Sequence, residues 1–79
     1  VTLDVEDYLS TTPTIHYSIP AGQRGTLTFY SVDGSKLETY TLDPAQSEFS
    51  WTTENPSGVY FAKLAAGNKS LSTKVVLTR

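Results

Sequence analysis

Gly58-Val59-Tyr60-Phe61-Ala62-Lys63-Leu64 runs through Ala65-Ala66-Gly67-Asn68-Lys69 into Ser70-Leu71-Ser72-Thr73-Lys74-Val75-Val76-Leu77, and this stretch decides the fold. Tyr60, Ala62 and Leu64 recur at every second position, as do Leu71, Thr73, Val75 and Leu77. That is the period of strands with one face turned to a core. Gly67-Asn68 between them suits the positive φ values of a tight turn, so the two runs read as a β-hairpin. Val59 and Phe61 are apolar at the alternate positions, which predicts that the first strand of the hairpin is covered on both faces.

Working outward from the hairpin, Ser47–Thr52 places Phe49 and Trp51 on one face, and Glu54-Asn55-Pro56-Ser57-Gly58 is the approach to the hairpin. Lys36–Leu42 carries Leu37, Tyr40 and Leu42 with a break in alternation, as a β-bulge or strong twist produces, and Asp43-Pro44-Ala45-Gln46 reads as a turn with Pro at its second position. In Thr26–Val32, Leu27 and Phe29 share one face and Tyr30 and Val32 the other. This parity change predicts a bulge or a strand that changes sheets. Asp33-Gly34 beyond it is the strongest short hairpin signal in the chain. Thr14–Ile19 alternates cleanly with Ile15, Tyr17 and Ile19 inward, and Pro20–Gly25 ends it. Val1–Val5 alternates as a short first strand, and Glu6–Pro13 is a connection. No segment has a useful helical period. The expectation is an all-β chain, a small antiparallel β-sandwich of six to seven strands, immunoglobulin-like, with residues 1–79 forming a single domain.

At 79 residues the chain buries only about 60 to 65% of its extended surface, so its core has little margin. Cysteine is absent, and neither disulfides nor thiolate metal sites can reinforce that core. Methionine is absent too, even at position 1, which leads us to expect a processed or excised piece of a longer protein. No apolar run approaches the roughly 20 residues of a membrane-spanning helix, and no secretory signal pattern is present. All eight acids fall between Asp4 and Glu54, opposed there by Arg24 and Lys36 alone, whereas Lys63, Lys69, Lys74 and Arg79 follow with no acid among them. A basic hairpin thus sits on an acidic body; lysines there discourage edge pairing of strands or form a recognition patch. The net charge of −2 argues against nucleic acid as a partner.

Asp4, Glu6 and Asp7 lack the glycine and distal glutamate of a calcium loop, so no metal site is assigned. His16 is the sole histidine. Ser18, on the same face of its strand, is about 7 Å away and beyond hydrogen-bond reach, so His16 reads as an exposed strand residue rather than a catalytic base. Of the nine aromatics, Tyr17, Phe49, Trp51 and Tyr60 sit at inward positions and are expected to fill the core. Tyr30 and Phe61 are the candidates for exposed ligand stacking. With no paired carboxylates in a cleft, no phosphate loop and no ligand cluster, neither enzyme activity nor a cofactor is expected.

Pro13-Thr14-Ile15-His16-Tyr17-Ser18-Ile19-Pro20, then Leu27–Gly34, Trp51, Ser57–Leu64 and Lys74–Leu77, occur in an order that resembles the C-terminal sorting domain of type IX secretion cargo, overlapping in pattern with the immunoglobulin-like domain of the flagellar hook-capping protein. The resemblance spans residues 13–79. It implies a β-sandwich at the C-terminus of a secreted enzyme or adhesin, which directs its upstream cargo through the outer membrane of a Gram-negative bacterium, by way of the periplasm, to the cell surface. Such domains are then cleaved off, and the cargo is commonly left on a surface lipopolysaccharide. By position, the family's Gly-x-Tyr element falls on Gly58 and Tyr60, its hairpin glycine on Gly34, and its terminal basic-apolar strand on Lys74, Val75, Val76 and Leu77. With Leu71, Val75 and Leu77 packed inward, the groups left for the outer-membrane secretion machinery are Lys74, Val76 and the carboxylate of Arg79. The Asn-Pro usual at the family's entrance is Thr12-Pro13 here, and Val1–Leu9 matches nothing in the family pattern. Two alternatives share the sandwich. One is an accessory module of a secreted polysaccharide-degrading enzyme that binds polysaccharide through Tyr30 and Phe61; the other is a self-associating hook-cap module.

Overall fold

The computed structural model describes residues 1–5 and 12–78. The described residues form seven strands: β1 (Thr2–Val5), β2 (Thr14–Ser18), β3 (Gly25–Ser31), β4 (Lys36–Leu42), β5 (Glu48–Ser50), β6 (Gly58–Ala66) and β7 (Lys69–Leu77). They form two antiparallel sheets, one in the order β1-β2-β5 and the other β4-β3-β6-β7. This is an immunoglobulin-type sandwich whose fourth strand pairs with the third rather than with the fifth. The inner faces meet over Ile15 and Tyr17 from β2, Leu27 and Phe29 from β3, Tyr60, Ala62 and Leu64 from β6, and Val75 and Leu77 from β7, all buried. Ile19 and Trp51, which follow β2 and β5, are buried with them. Phe49 is half-buried against this core, because β5 is a three-residue edge strand that leaves one flank of the ring uncovered.

Local sequence accounts for the turns. Gly67 takes φ +61° while Asn68 stays at negative φ, so the hairpin needs one positive φ, as a type II′ turn does, not the two that Gly-Asn allows. The β3–β4 connection is a tight turn closed by the Gly34 amide donating to the Ser31 carbonyl at 2.9 Å, with Gly34 at φ +91° just after it. The Asp33 carboxylate secures that turn by accepting from the Ser35 amide and the Ser31 hydroxyl. The turn at Asp43 forms as expected, the Gln46 amide donating to the Asp43 carbonyl at 3.0 Å and the Ala45 amide to its carboxylate at 2.9 Å.

Four expectations need correction. The parity change at Phe29/Tyr30 is not a bulge in β3, whose pairing with β6 runs unbroken from Gly25 to Ser31. The register shift lies against β4, where Leu37 is the extra residue between Lys36 and Glu38, so Tyr30 is simply an outward residue of a regular strand. Val32 belongs to the turn and is 73% exposed. Leu71 is not packed inward: it is 37% exposed although it lies directly across from the buried Leu64. β7 is a nine-residue edge strand, and the strand that packs near it, β1, has four residues, which is too short to cover it to the hairpin tip. Finally, β6 is covered on one face only, since Val59 and Phe61 are 41% and 38% exposed. Position in the middle of a sheet satisfies a strand's backbone but does not put a second layer over its outer face.

Candidate functional site

Gly58 and Tyr60 form one structural unit at the entry to β6. The Tyr60 hydroxyl donates to the carbonyl of Pro56 at 2.5 Å, four residues upstream, while its ring is buried against the core. A tyrosine near the start of this strand that ties back to the preceding backbone is a tyrosine corner of immunoglobulin-type sandwiches. Gly58 between them has φ +157°, a backbone conformation that L side chains rarely adopt. Trp51 stands edge-on to Tyr60 with centroids 5.3 Å apart and stacks on Phe29 at 4.0 Å with the rings within 3° of parallel. Thus Gly58 and Tyr60 fix where β6, and with it β7, leaves the core.

A carboxylate that sequence reasoning did not single out holds the other side of this aromatic stack. Glu38 faces inward across from Phe29 and accepts from Trp51 Nε1 at 2.8 Å, Thr53 Oγ1 at 2.9 Å, Asn55 Nδ2 at 3.0 Å and the Tyr40 hydroxyl. Burial alone raises the Glu38 carboxyl, yet the hydrogen bonds from Tyr40, Trp51, Thr53 and Asn55 outweigh it and hold the group below its ordinary value. The same contact, with burial added, raises the Tyr40 phenol. Every donor around the carboxylate is neutral, and the arrangement pins the Thr53–Asn55 segment to β4. The signal in the sequence was Glu at an inward position of a strand, and the Leu37 bulge concealed it by shifting the alternation.

On β7 the expected division of faces holds for its second half: Val75 and Leu77 are buried, Lys74 is exposed and Val76 is half-buried. Arg79 lies outside the described residues. Tyr30 and Phe61 are direct cross-strand partners on the outer face of the four-stranded sheet, Tyr30 half-buried and Phe61 more open. Lys36 is opposite Tyr30 and Lys74 opposite Phe61, so Lys36, Tyr30, Phe61 and Lys74 form one row across all four strands. Of the residues expected to serve sorting, Lys74 and Val76 therefore share a face with Tyr30 and Phe61, whereas Tyr60, Val75 and Leu77 are buried on the other side of the sheet; the sequence did not reveal this because the residues lie on different strands.

The opposite outer face is acidic. Asp4, His16 and Glu48 align across β1, β2 and β5, with His16 Nδ1 3.6 Å from Glu48 Oε1. Glu6 and Asp7 lie outside the described residues. Among the described residues, no group of three His, Cys, Asp or Glu side chains is arranged to hold a metal ion.

Residues 9–78 match the family described as the secretion system C-terminal sorting domain. No curated protein and no solved structure matches the chain. The matched span takes in every strand from β2 to β7, the tyrosine corner and the lysine-aromatic row. The chain belongs to the secretion system C-terminal sorting domain family, the non-catalytic signal modules that send cargo by type IX secretion through the periplasm to the surface or exterior of Gram-negative bacteria.

Proposed function

We propose that the outer-membrane secretion machinery reads this sorting domain at the outward side of β7, through Lys74 and Val76, with Arg79 as a further recognised residue. Gly58, Tyr60, Val75 and Leu77 serve that reading indirectly, by setting the strand in the sandwich. In this reading residues 1–79 act as one folding unit behind an upstream cargo domain and carry no catalysis of their own. The supporting observation is the division of labour within a single strand, where Val75 and Leu77 are buried while Lys74, immediately before Val75, faces solvent and Val76, between the two buried residues, is half-buried.

The test is Lys74→Glu together with Val76→Glu, fused behind the native cargo. Exposed charge exchange costs about 0.5 kcal/mol, and the half-buried Val76 about 1 kcal/mol, so the domain stays folded. The cargo is expected to accumulate in the periplasm; normal surface display of the folded variant refutes the reading. A second reading, an aromatic platform for polysaccharide, has the side-by-side placement of Tyr30 and Phe61 behind it. Affinity electrophoresis against soluble glucans and xylans tests it, and unchanged mobility rejects those ligands.

A further inference from the structure

The row of Lys36, Tyr30, Phe61 and Lys74 is flanked on one side by Val59 and Val76, which are cross-strand partners, and on the other by Lys63. Val59 and Phe61 are about two-fifths exposed, on the outer face of a sheet whose inner face already supplies the core. Lysine stands at both ends of the aromatic row and again beside it. The only acid in β3, β4, β6 and β7 is Glu38, and it faces inward, held by Trp51, Thr53 and Asn55. The nearest carboxylate in the adjoining turn, Asp33, is engaged by Ser31 and Ser35. Four strands at about 4.8 Å spacing make this row roughly 14 Å wide.

We infer that this outer face docks an acidic protein surface, with Tyr30 and Phe61 at the centre of the contact and Lys36, Lys63 and Lys74 at its rim. An apolar, aromatic centre inside a charged rim is the anatomy of a protein interface. Lysines of one sign around it select a partner of the opposite sign and repel a basic one. A sugar polymer would use the aromatic faces but leave the Val59–Val76 pair without a role, so the valines favour protein. The inference rests on the reading of β7 given above and extends it to β3, β4 and β6, which makes the sorting signal a surface of the folded domain rather than a stretch of chain.

The experiment uses the domain behind its native cargo in a secreting cell and compares surface with periplasmic cargo for three double variants. Lys36→Glu with Lys63→Glu changes only exposed side chains of β4 and β6, leaves the β7 side chains unaltered and keeps the fold intact. Tyr30→Ser with Phe61→Ser removes the centre, its folding being checked by thermal unfolding; if it does not fold, the lysine pair carries the test. Lys74→Glu with Val76→Glu is the β7 comparison. The surface-to-periplasm ratio is expected to fall on the order of tenfold for the folded variants, the loss typical of removing an interface anchor. Normal display of Lys36→Glu with Lys63→Glu, while the β7 variant is retained, overturns the docking face and leaves the β7 reading standing. Normal display of both overturns both. Retardation of the unmodified domain in gels containing polygalacturonate, lost in Phe61→Ser while display stays normal, also overturns the inference, because the occupant is then an anionic polysaccharide.

Discussion

Replacing Glu38 by Gln keeps the size and shape of the side chain and removes its charge, which isolates what the carboxylate contributes. Oε1 accepts from Trp51 and Tyr40, and Oε2 from Thr53 and Asn55. An amide offers one oxygen, so either orientation sets its NH2 group against two donors. Two hydrogen bonds to a charged acceptor, at about 1.5 to 3 kcal/mol each, are lost, partly offset because the neutral group costs less to bury and the Thr53 hydroxyl can turn; the net is about 3 kcal/mol. At 0.05 to 0.15 kcal/mol per residue, a chain of this length has a total stability of roughly 4 to 12 kcal/mol, so a quarter or more disappears with one oxygen. Urea denaturation followed by the fluorescence of Trp51, the only tryptophan, gives the free energy directly, and Tm is expected to drop by roughly 12 to 24 °C. A second arm uses pH. The folded carboxyl lies below its unfolded value, so its contribution is present above the unfolded pKa of about 4.3 and is lost as pH falls through the folded value. The variant should lack this acid-side loss. A stability change within about 0.5 kcal/mol at neutral pH would refute the role assigned to Glu38.

Tyr60→Phe keeps the buried ring and deletes the hydroxyl that reaches Pro56, so it should cost about 1 to 2 kcal/mol by the same measurement, against about 3 to 5 kcal/mol for Tyr60→Ala; equal losses would mean that the corner bond contributes nothing. Leu64 and Leu71 face each other across the hairpin but differ in burial, so Leu64→Ala should cost about 2 to 5 kcal/mol and Leu71→Ala under about 1 kcal/mol. Similar losses at the two positions would show that the hairpin tip is covered after all. Gly34→Ala places a side chain at φ +91° and should cost about 1 kcal/mol through backbone strain alone, since no atom lies within 4 Å of the added carbon; a neutral result would mean that the turn relaxes to another type.

Strands with strict alternation were legible in the sequence because burial of one face leaves a period of two, as Ile15, Tyr17 and Ile19 or Tyr60, Ala62 and Leu64 display. Pairing across strands was not, since it depends on register between segments far apart in the chain. That is why Tyr30 and Phe61 were both marked as exposed aromatics without any sign that they are neighbours. Alternation breaks in both β3, near Phe29, and β4, near Leu37; the bulge indicated in Lys36–Leu42 is present, with Leu37 as the extra residue, whereas the break in β3 reflects only its slip against that bulge. Leu71 and the outward pair Val59 and Phe61 mislead in the same direction, toward burial, for one reason. Apolar character records what a position tolerates, whereas burial depends on whether another layer reaches it, and β1 is too short to reach the hairpin tip.

β7 has to satisfy two demands that the same lysines can meet. Among the described residues no strand pairs with the outer edge of the nine-residue β7, and charged side chains on an edge strand discourage edge-to-edge association while the domain crosses the periplasm. A docking face needs charge as well, but of one sign. Protection against edge pairing is served by either sign, since glutamate is as well hydrated at an edge as lysine, whereas complementarity to an acidic partner is served by a positive charge alone. Lys74→Glu therefore separates the demands where Lys74→Ala, which weakens both, does not. A Lys74→Glu domain that remains monomeric in gel filtration and folded by circular dichroism, yet whose cargo stays in the periplasm, assigns the positive charge to recognition. If the same domain reaches the surface as the parent does, lysine at this edge is explained by protection of the strand alone.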